Sequence, residues 1–175
     1  RGCKALKSFD FASTLTSLQP SAFECSGLQK IDMTASHDIF AVGQYAFANC
    51  SSLTEALFAD NIVNISEGAL FNCEKLTSIH LPGSLTGFGN AMLSNTAIAG
   101  KIEMPRMSMT IGDYALTGAA AVSEIDIPAS VFYIGNEAMS GMSGLKRINV
   151  SKHQAIPSIG MDVWSDVDQP KVTLI

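Results

Sequence analysis

Charge is scarce in this chain of 175 residues, and what there is leans acidic. Only 15% of residues are charged, the formal net charge is −5, and there is no block of like charge or polybasic tail. Nucleic acid is therefore not an expected partner, because binding it needs a clustered basic face. Long apolar runs are missing too. No window approaches the ~18 uninterrupted apolar residues of a membrane span, so no membrane insertion is expected in this segment. Histidine is rare: His37 and His153 fall in loops and His80 on a strand pattern, with no nucleophile at a fixed spacing from any of them. Neither H-E-x-x-H nor G-x-S-x-G occurs. No catalytic residue, metal site or cofactor is expected. The chain begins at Arg1, in mid-repeat and without a signal-peptide pattern, which reads as a trimmed portion of a longer protein.

Apolar residues, by contrast, make up 47% of the chain, too many for disorder. They recur. Ile111–Pro128 (IGDYALTGAAAVSEIDIP) repeats the pattern of Phe88–Pro105 and is repeated by Ile134–Val150. Gly89, Gly112 and Gly135 are 23 apart, as are Pro82, Pro105 and Pro128. A fixed period of this size marks a solenoid, in which no unit closes a core alone and stacked units bury a continuous one. Two extra residues fall between Met33 and Gly43 and two more between Val150 and Gly160, in loops where backbone bulges cheaply.

Each unit reads I-G-x-x-A-[aromatic/Leu/Met]-x-x-C-x-x-L-x-x-I-x-L-P. The end of the unit alternates, as in Ile125-Asp126-Ile127 and Ile79-His80-Leu81, which is the period of a strand. Such strands, one repeat apart and always in the same direction, predict a parallel sheet, stopped by the proline that follows. The A-F-x-x-C part fits one helical or 3₁₀ turn, and the glycine of I-G suits a tight bend with close backbone approach or positive φ. The leucine slot is filled in successive units by Leu76, Ala99, Val122 and Leu145.

Cys3, Cys25, Cys50 and Cys73 occupy one slot, which later units fill with Thr96, Ala119, Met142 and Val167. Those residues neither bridge nor ligate. The cysteines therefore read as buried free thiols that behave as small apolar side chains. Parallel, same-facing Cβ vectors also make the disulfide torsion difficult. Trp164 stands at a phenylalanine position and reads as core or end-cap. Three N-glycosylation sequons (at Asn49, Asn64 and Asn149) read as chance matches, Asn49 and Asn64 lying in ordered repeat positions.

The pattern resembles the BspA-like, treponemal-type leucine-rich repeat over essentially the whole chain. Departures are local: Ala56 at an isoleucine position, Thr96 and Met142 at cysteine positions, and an eroded last copy. The resemblance implies an α/β solenoid with one parallel β-sheet on the concave face. Short helical or 3₁₀ turns or extended segments lie opposite it, in about seven to eight repeats of ~23 residues that form a single domain over 1–175. The family is found largely on bacterial surfaces, and several members are associated with binding host matrix proteins or with co-aggregation. It follows that this chain is expected to be extracellular or at the cell surface and to be non-catalytic. The expected partner is a host matrix or cell-surface protein.

Candidate binding residues then lie on the exposed half of the strands. One column runs Lys30, Glu55, Ser78, Lys101, Glu124, Arg147; the other runs Asp32, Leu57, His80, Glu103, Asp126, Asn149. Lys30 is expected beside Glu55, and Lys101 beside Glu124 beside Arg147. The two columns fit a recognition face, or equally a polar coat that keeps an open sheet soluble. The mostly acidic second column lacks the wrap-around oxygens of a calcium site. A structural spacer presenting another domain is the alternative function.

Overall fold

In the computed structural model the residues described are all but Arg1, Ala12, Ser13, residues 153–156, Gln169 and Ile175; the side chains of Val172 and Leu174 are also left aside. His153 thus lies outside the described residues. The strands, in chain order, are β1 (Lys30–Asp32), β2 (Ala41–Val42), β3 (Glu55–Leu57), β4 (Asn64–Ile65), β5 (Ser78–His80), β6 (Gly87–Phe88) and β7 (Gly100–Glu103). They continue as β8 (Thr110–Ile111), β9 (Val122–Ile127), β10 (Tyr133–Ile134), β11 (Arg147–Val150), β12 (Ser158–Ile159) and β13 (Lys171–Leu174). All pairings are parallel, and strands of one kind stack on those of the next repeat, as a β-solenoid requires.

Among the described residues the expected single sheet is three. The two-residue strands form one six-stranded sheet, β12-β10-β8-β6-β4-β2, built on the I-G part of each unit. The longer strands form β1-β3-β5 and β13-β11-β9-β7, with no ladder between β5 and β7. One apolar cluster fills the space between these faces, from Phe11 to Val163.

The expected helical turn is also absent: no described residue is helical. The A-F-x-x-C segments are turns in which alternate amides bond along the stack. Tyr45, Phe47 and Asn49 donate to the carbonyls of Glu67, Ala69 and Phe71 (2.8–2.9 Å), while Ala46 and Ala48 donate back to Gly43 and Tyr45. A helix would use every amide within its own turn. Here every other peptide is turned toward the next rung, and the residues that make this possible sit at positive φ. Asn49, Asn72 and Asn95 have φ of 56–58°, and Gly118 and Gly141 take the same place one and two rungs on, at 73° and 69°. Asparagine and glycine are the residues that tolerate this region best.

The I-G glycines serve the other purpose foreseen for them. Gly43, Gly89, Gly112, Gly135 and Gly160 lie outside the positive-φ region, but a Cβ on any of them would meet backbone of the preceding rung at 2.5–2.9 Å.

One register assignment needs correcting. Ile98, not Ala99, is the buried residue in the leucine slot of its rung; Ala99 is exposed. Ile98 to Ile102 is four steps where Val122 to Ile125 is three, and the ladder is irregular here: Gly100 and Lys101 face Val122 and Glu124, which leaves Ser123 as the unpaired residue of a bulge. An isoleucine buries more apolar surface than an alanine, which favours the shifted register. Gly100, at φ 80°, accommodates the kink.

Candidate functional site

The long-strand face carries the two predicted columns. Ile31, Ala56, Ile102, Ile125 and Ile148 point inward and are buried, so their flanking residues point out. The register sets Lys30 opposite Glu55 and Asp32 opposite Leu57; Glu55 and Leu57 then face Ser78 and His80. Beyond the break, Glu124 stands between Lys101 and Arg147, and Asp126 between Glu103 and Asn149. Ser78 and Lys101, and likewise His80 and Glu103, are not neighbours, because β5 and β7 do not pair.

Two charged networks result. Lys30 Nζ lies 3.0 Å from Glu55 and 3.4 Å from Asp32. Those carboxylates, Glu55 first, raise the Lys30 pKa. Asp32 also accepts hydrogen bonds from the Thr34 hydroxyl (2.7 Å) and amide (3.2 Å), which hold its carboxyl below the usual range.

The second network is denser. Lys101 Nζ is 2.7 Å from Asp126 and 3.0 Å from Glu103, but 4.0 Å from the Glu124 that directly opposes it. Its strongest cross-strand pair is therefore diagonal, and its pKa is raised, chiefly by Asp126. Arg147 reaches Glu124 at 3.2 Å. For Asp126, partial burial works against ionisation, yet the bonds from Lys101 and Asn149 outweigh it and lower the pKa.

Asn149 departs from expectation. It is buried, because its side-chain amide is drawn down between Glu124 and Asp126, donating 2.6 Å bonds to both. It organises the carboxylates rather than offering itself to a partner. His80 is exposed and leans away from its column to Asp60 at 3.3 Å, which also accepts the Gly83 amide at 3.1 Å. Those bonds, Gly83 first, hold the Asp60 carboxyl low. Asp60 lies in the loop after β3 and carried no signal in the repeat pattern.

Sequence reading also missed a second surface. Phe40, Val63, Met109 and Phe132 are exposed at 41–59%, one above another on the edge of the short-strand sheet, with Thr86 completing the column. Val63 donates to the Phe40 carbonyl, Thr86 to Val63, Met109 to Thr86 and Phe132 to Met109, at 2.8–3.1 Å. The signal was present as the same 23-residue step, in a position taken for polar loop.

The cysteines are free thiols. Cys50 and Cys73 are buried and donate to the carbonyls of Phe23 and Phe47, each at 3.2 Å. Cys25 is only half-buried and Cys3 is exposed, correcting the expectation of a uniformly buried column. Both lie at the first rungs of the stack, where fewer neighbours cover the slot. Native alkylation is expected to modify Cys3 fastest and to spare Cys50 and Cys73 until denaturant is added. Alkylation of all four at one rate, followed by mass spectrometry, would contradict this burial order. Trp164 is partly buried against the core, in keeping with an end-cap. Among the described residues no group of three or more His, Cys, Asp or Glu could hold a metal ion, and no helix is long and apolar enough to cross a membrane.

Comparison with known proteins agrees with this architecture. The family model described as "BspA type Leucine rich repeat region (6 copies)" matches residues 1–99 and 72–168. No curated protein matches the chain in sequence. Among solved structures, the leucine-rich repeat protein of T. pallidum superposes with a TM-score of 0.71 at 21% identity, covering 83% of this chain and 67% of that one. A leucine-rich cell surface protein of Faecalibacterium prausnitzii gives a TM-score of 0.57 at 18% identity, covering 79% of this chain and 52% of that one. At these identities the likeness is one of fold.

Proposed function

The chain belongs to the BspA-type leucine-rich repeat family, and we propose that it is a non-catalytic, protein-binding module of a cell-surface or secreted protein. Its long-strand face is the binding surface, and its partner is a host matrix or cell-surface protein. The module is one domain over 1–175 with about seven to eight repeats of the ~23-residue period.

One observation carries this reading. The long-strand face presents charged side chains that remain accessible yet are fixed in place by cross-strand ion pairs on either side of the break, Lys30–Glu55 on one and Lys101–Asp126 and Arg147–Glu124 on the other. Preordered side chains lose less rotamer entropy when a partner docks, and opposed charges select among partners more than they add affinity. The family, together with a structural neighbour described as a cell surface protein, supports placement outside the cell.

Exchanging the best pair, Lys101→Glu with Asp126→Lys, keeps the two charges complementary while reversing what a partner meets. Binding to immobilised extracellular-matrix proteins, read by surface plasmon resonance, is expected to fall at least tenfold with an unchanged far-ultraviolet circular dichroism spectrum. Full binding by that variant would remove the long-strand face as the site.

The mutual neutralisation of Lys101 by Glu103 and Asp126 favours a second reading. Under it the face is a solubilising coat and the segment a spacer that holds another domain outward. The isolated chain then binds no matrix protein at all.

A further inference from the structure

The break in the long-strand face is a place where a strand is missing. β5 and β7 belong to successive rungs, yet no Cα of one lies within 8 Å of a Cα of the other. Paired strands lie ~4.8 Å apart, so a strand seated between two others needs flanks about two spacings away. The opening is a cleft of about 460 Å³, walled by Thr77–Leu81 on one side and Ile98–Glu103 on the other.

The rest of the rung is closed. On the turn side Leu70 and Asn72 donate to the carbonyls of Met92 and Ser94 at 3.1 and 2.9 Å, and on the short-strand sheet Ile65 pairs with Phe88 and Phe88 with Ile111. The gap is thus local and held open by paired backbone around it. It coincides with the irregular register in which Gly100 and Lys101 face Val122 and Glu124. Thr77 and Lys146, at the starts of their strands, donate back to the previous rung at Thr54 and Ser123; Gly100 instead donates forward to Ala121, at 3.1 Å. β7 is committed to β9 and leaves β5 without a neighbour.

Both facing edges consequently present backbone groups with no ladder partner, the situation in which an extended segment adds itself to a sheet. The apolar interior is open at the same place: Ile79 and Leu81 are only half-buried, whereas Ile31 and Ala56, equivalent to Ile79, and Met33 and Phe58, equivalent to Leu81, are fully buried.

We propose that the cleft between β5 and β7 receives an extended segment of the protein partner, which inserts as a parallel strand and completes the long-strand sheet. This refines the protein-binding reading above to one place and one mode, and rests on it only for the existence of a protein partner. The flanks dictate the segment's chemistry. Side chains facing inward would lie between Ile79 and Ile102 and between Leu81 and Met104, so both are aliphatic. The outward residue between Ser78 and Lys101 is a serine or threonine. The next outward residue, between His80 and Glu103, is basic, because the well-exposed Glu103 carboxylate flanks it on the β7 side. The segment reads hydroxyl–aliphatic–basic–aliphatic.

A fluorescein-labelled, C-terminally amidated hexapeptide STIRLS is the probe, followed by fluorescence anisotropy with the whole chain. Saturable binding is expected, weakened at least tenfold when alternate backbone amides of the peptide are N-methylated and at least tenfold by Glu103→Lys in the protein. Hydrogen exchange in 77–81 and 100–103 is expected to slow when the peptide is added. Equal binding of the N-methylated peptide, or no binding at about 1 mM protein, overturns strand insertion. If matrix proteins still bind while the peptide does not, only this inference falls. If the peptide binds and no matrix protein does, the inference stands and the choice of a matrix partner falls.

Discussion

Replacing Phe47 by alanine is expected to cost about 3–5 kcal/mol of stability, the range for deleting a buried aromatic side chain. Phe47 is fully buried; its ring stacks on Phe23 (centroids 5.4 Å, 7° between planes) and meets Phe11 edge-on at 6.1 Å. What keeps the cost high is the rigidity of the walls. The Phe47 amide is bonded to Ala69 at 2.9 Å and its carbonyl accepts the Cys73 thiol at 3.2 Å, so the rung cannot sink into the void. In a stack each rung also supports its neighbours, and damage in one interface weakens two repeats. For a chain of this size the loss corresponds to a melting temperature lower by roughly 10 °C. Urea denaturation followed by circular dichroism would show it as a shifted midpoint at an unchanged slope. A cost below about 1 kcal/mol would mean that the aromatic cluster is not part of the folded core.

The second large effect comes from adding an atom. Gly135→Ala is expected to destabilise by about 3 kcal/mol, at the upper end for overpacking. A Cβ there would lie 2.4 Å from Asp113 Oδ1, 2.5 Å from Asp113 N and 2.6 Å from Gly112 C. The carboxylate is not free to swing aside, because it accepts the Asn136 amide at 2.8 Å, and the other two atoms are backbone. Moving the backbone would strain the 2.7 Å bond from the Gly135 amide to Ile111 that joins the two rungs. Gly83 is the control. Its nearest atom to an added Cβ is at 3.8 Å and its φ is not positive, so Gly83→Ala is expected to be neutral or to stabilise slightly by restricting the unfolded chain. Calorimetry on the two variants tests the difference. If their stabilities agree within about 0.5 kcal/mol, the glycine column is not needed for close approach.

These two residues show what a repeat makes legible. Phe47 and Gly135 stand at template positions, so their burial and their crowding follow from period alone. Lys30–Glu55 and Arg147–Glu124 were legible for the same reason, since parallel strands one repeat apart bring equivalent residues together. Asn149 was not, because its two 2.6 Å bonds depend on where the neighbouring carboxylates turn, and a column assignment says only which way a side chain starts out. Asp60 and its contact with His80 escaped because loops have no template. The turn segments were misread for a different reason. Apolar spacing over six or seven residues fits a helical turn and a turn of alternating φ equally well, and only the inter-rung amide bonds separate them.

The sequence by itself determined the period, the parallel stacking, the family and most of the buried positions, because each of these is fixed by which residues are apolar and how far apart they stand. The tertiary structure alone decided the division into three sheets, the exposure of the column from Phe40 to Phe132, and the opening between β5 and β7. Those depend on hydrogen-bond direction and on small competitions for the core. Ile98 displaced Ala99 there, and the Gly100 amide bonds to Ala121 of the rung ahead rather than to the rung behind.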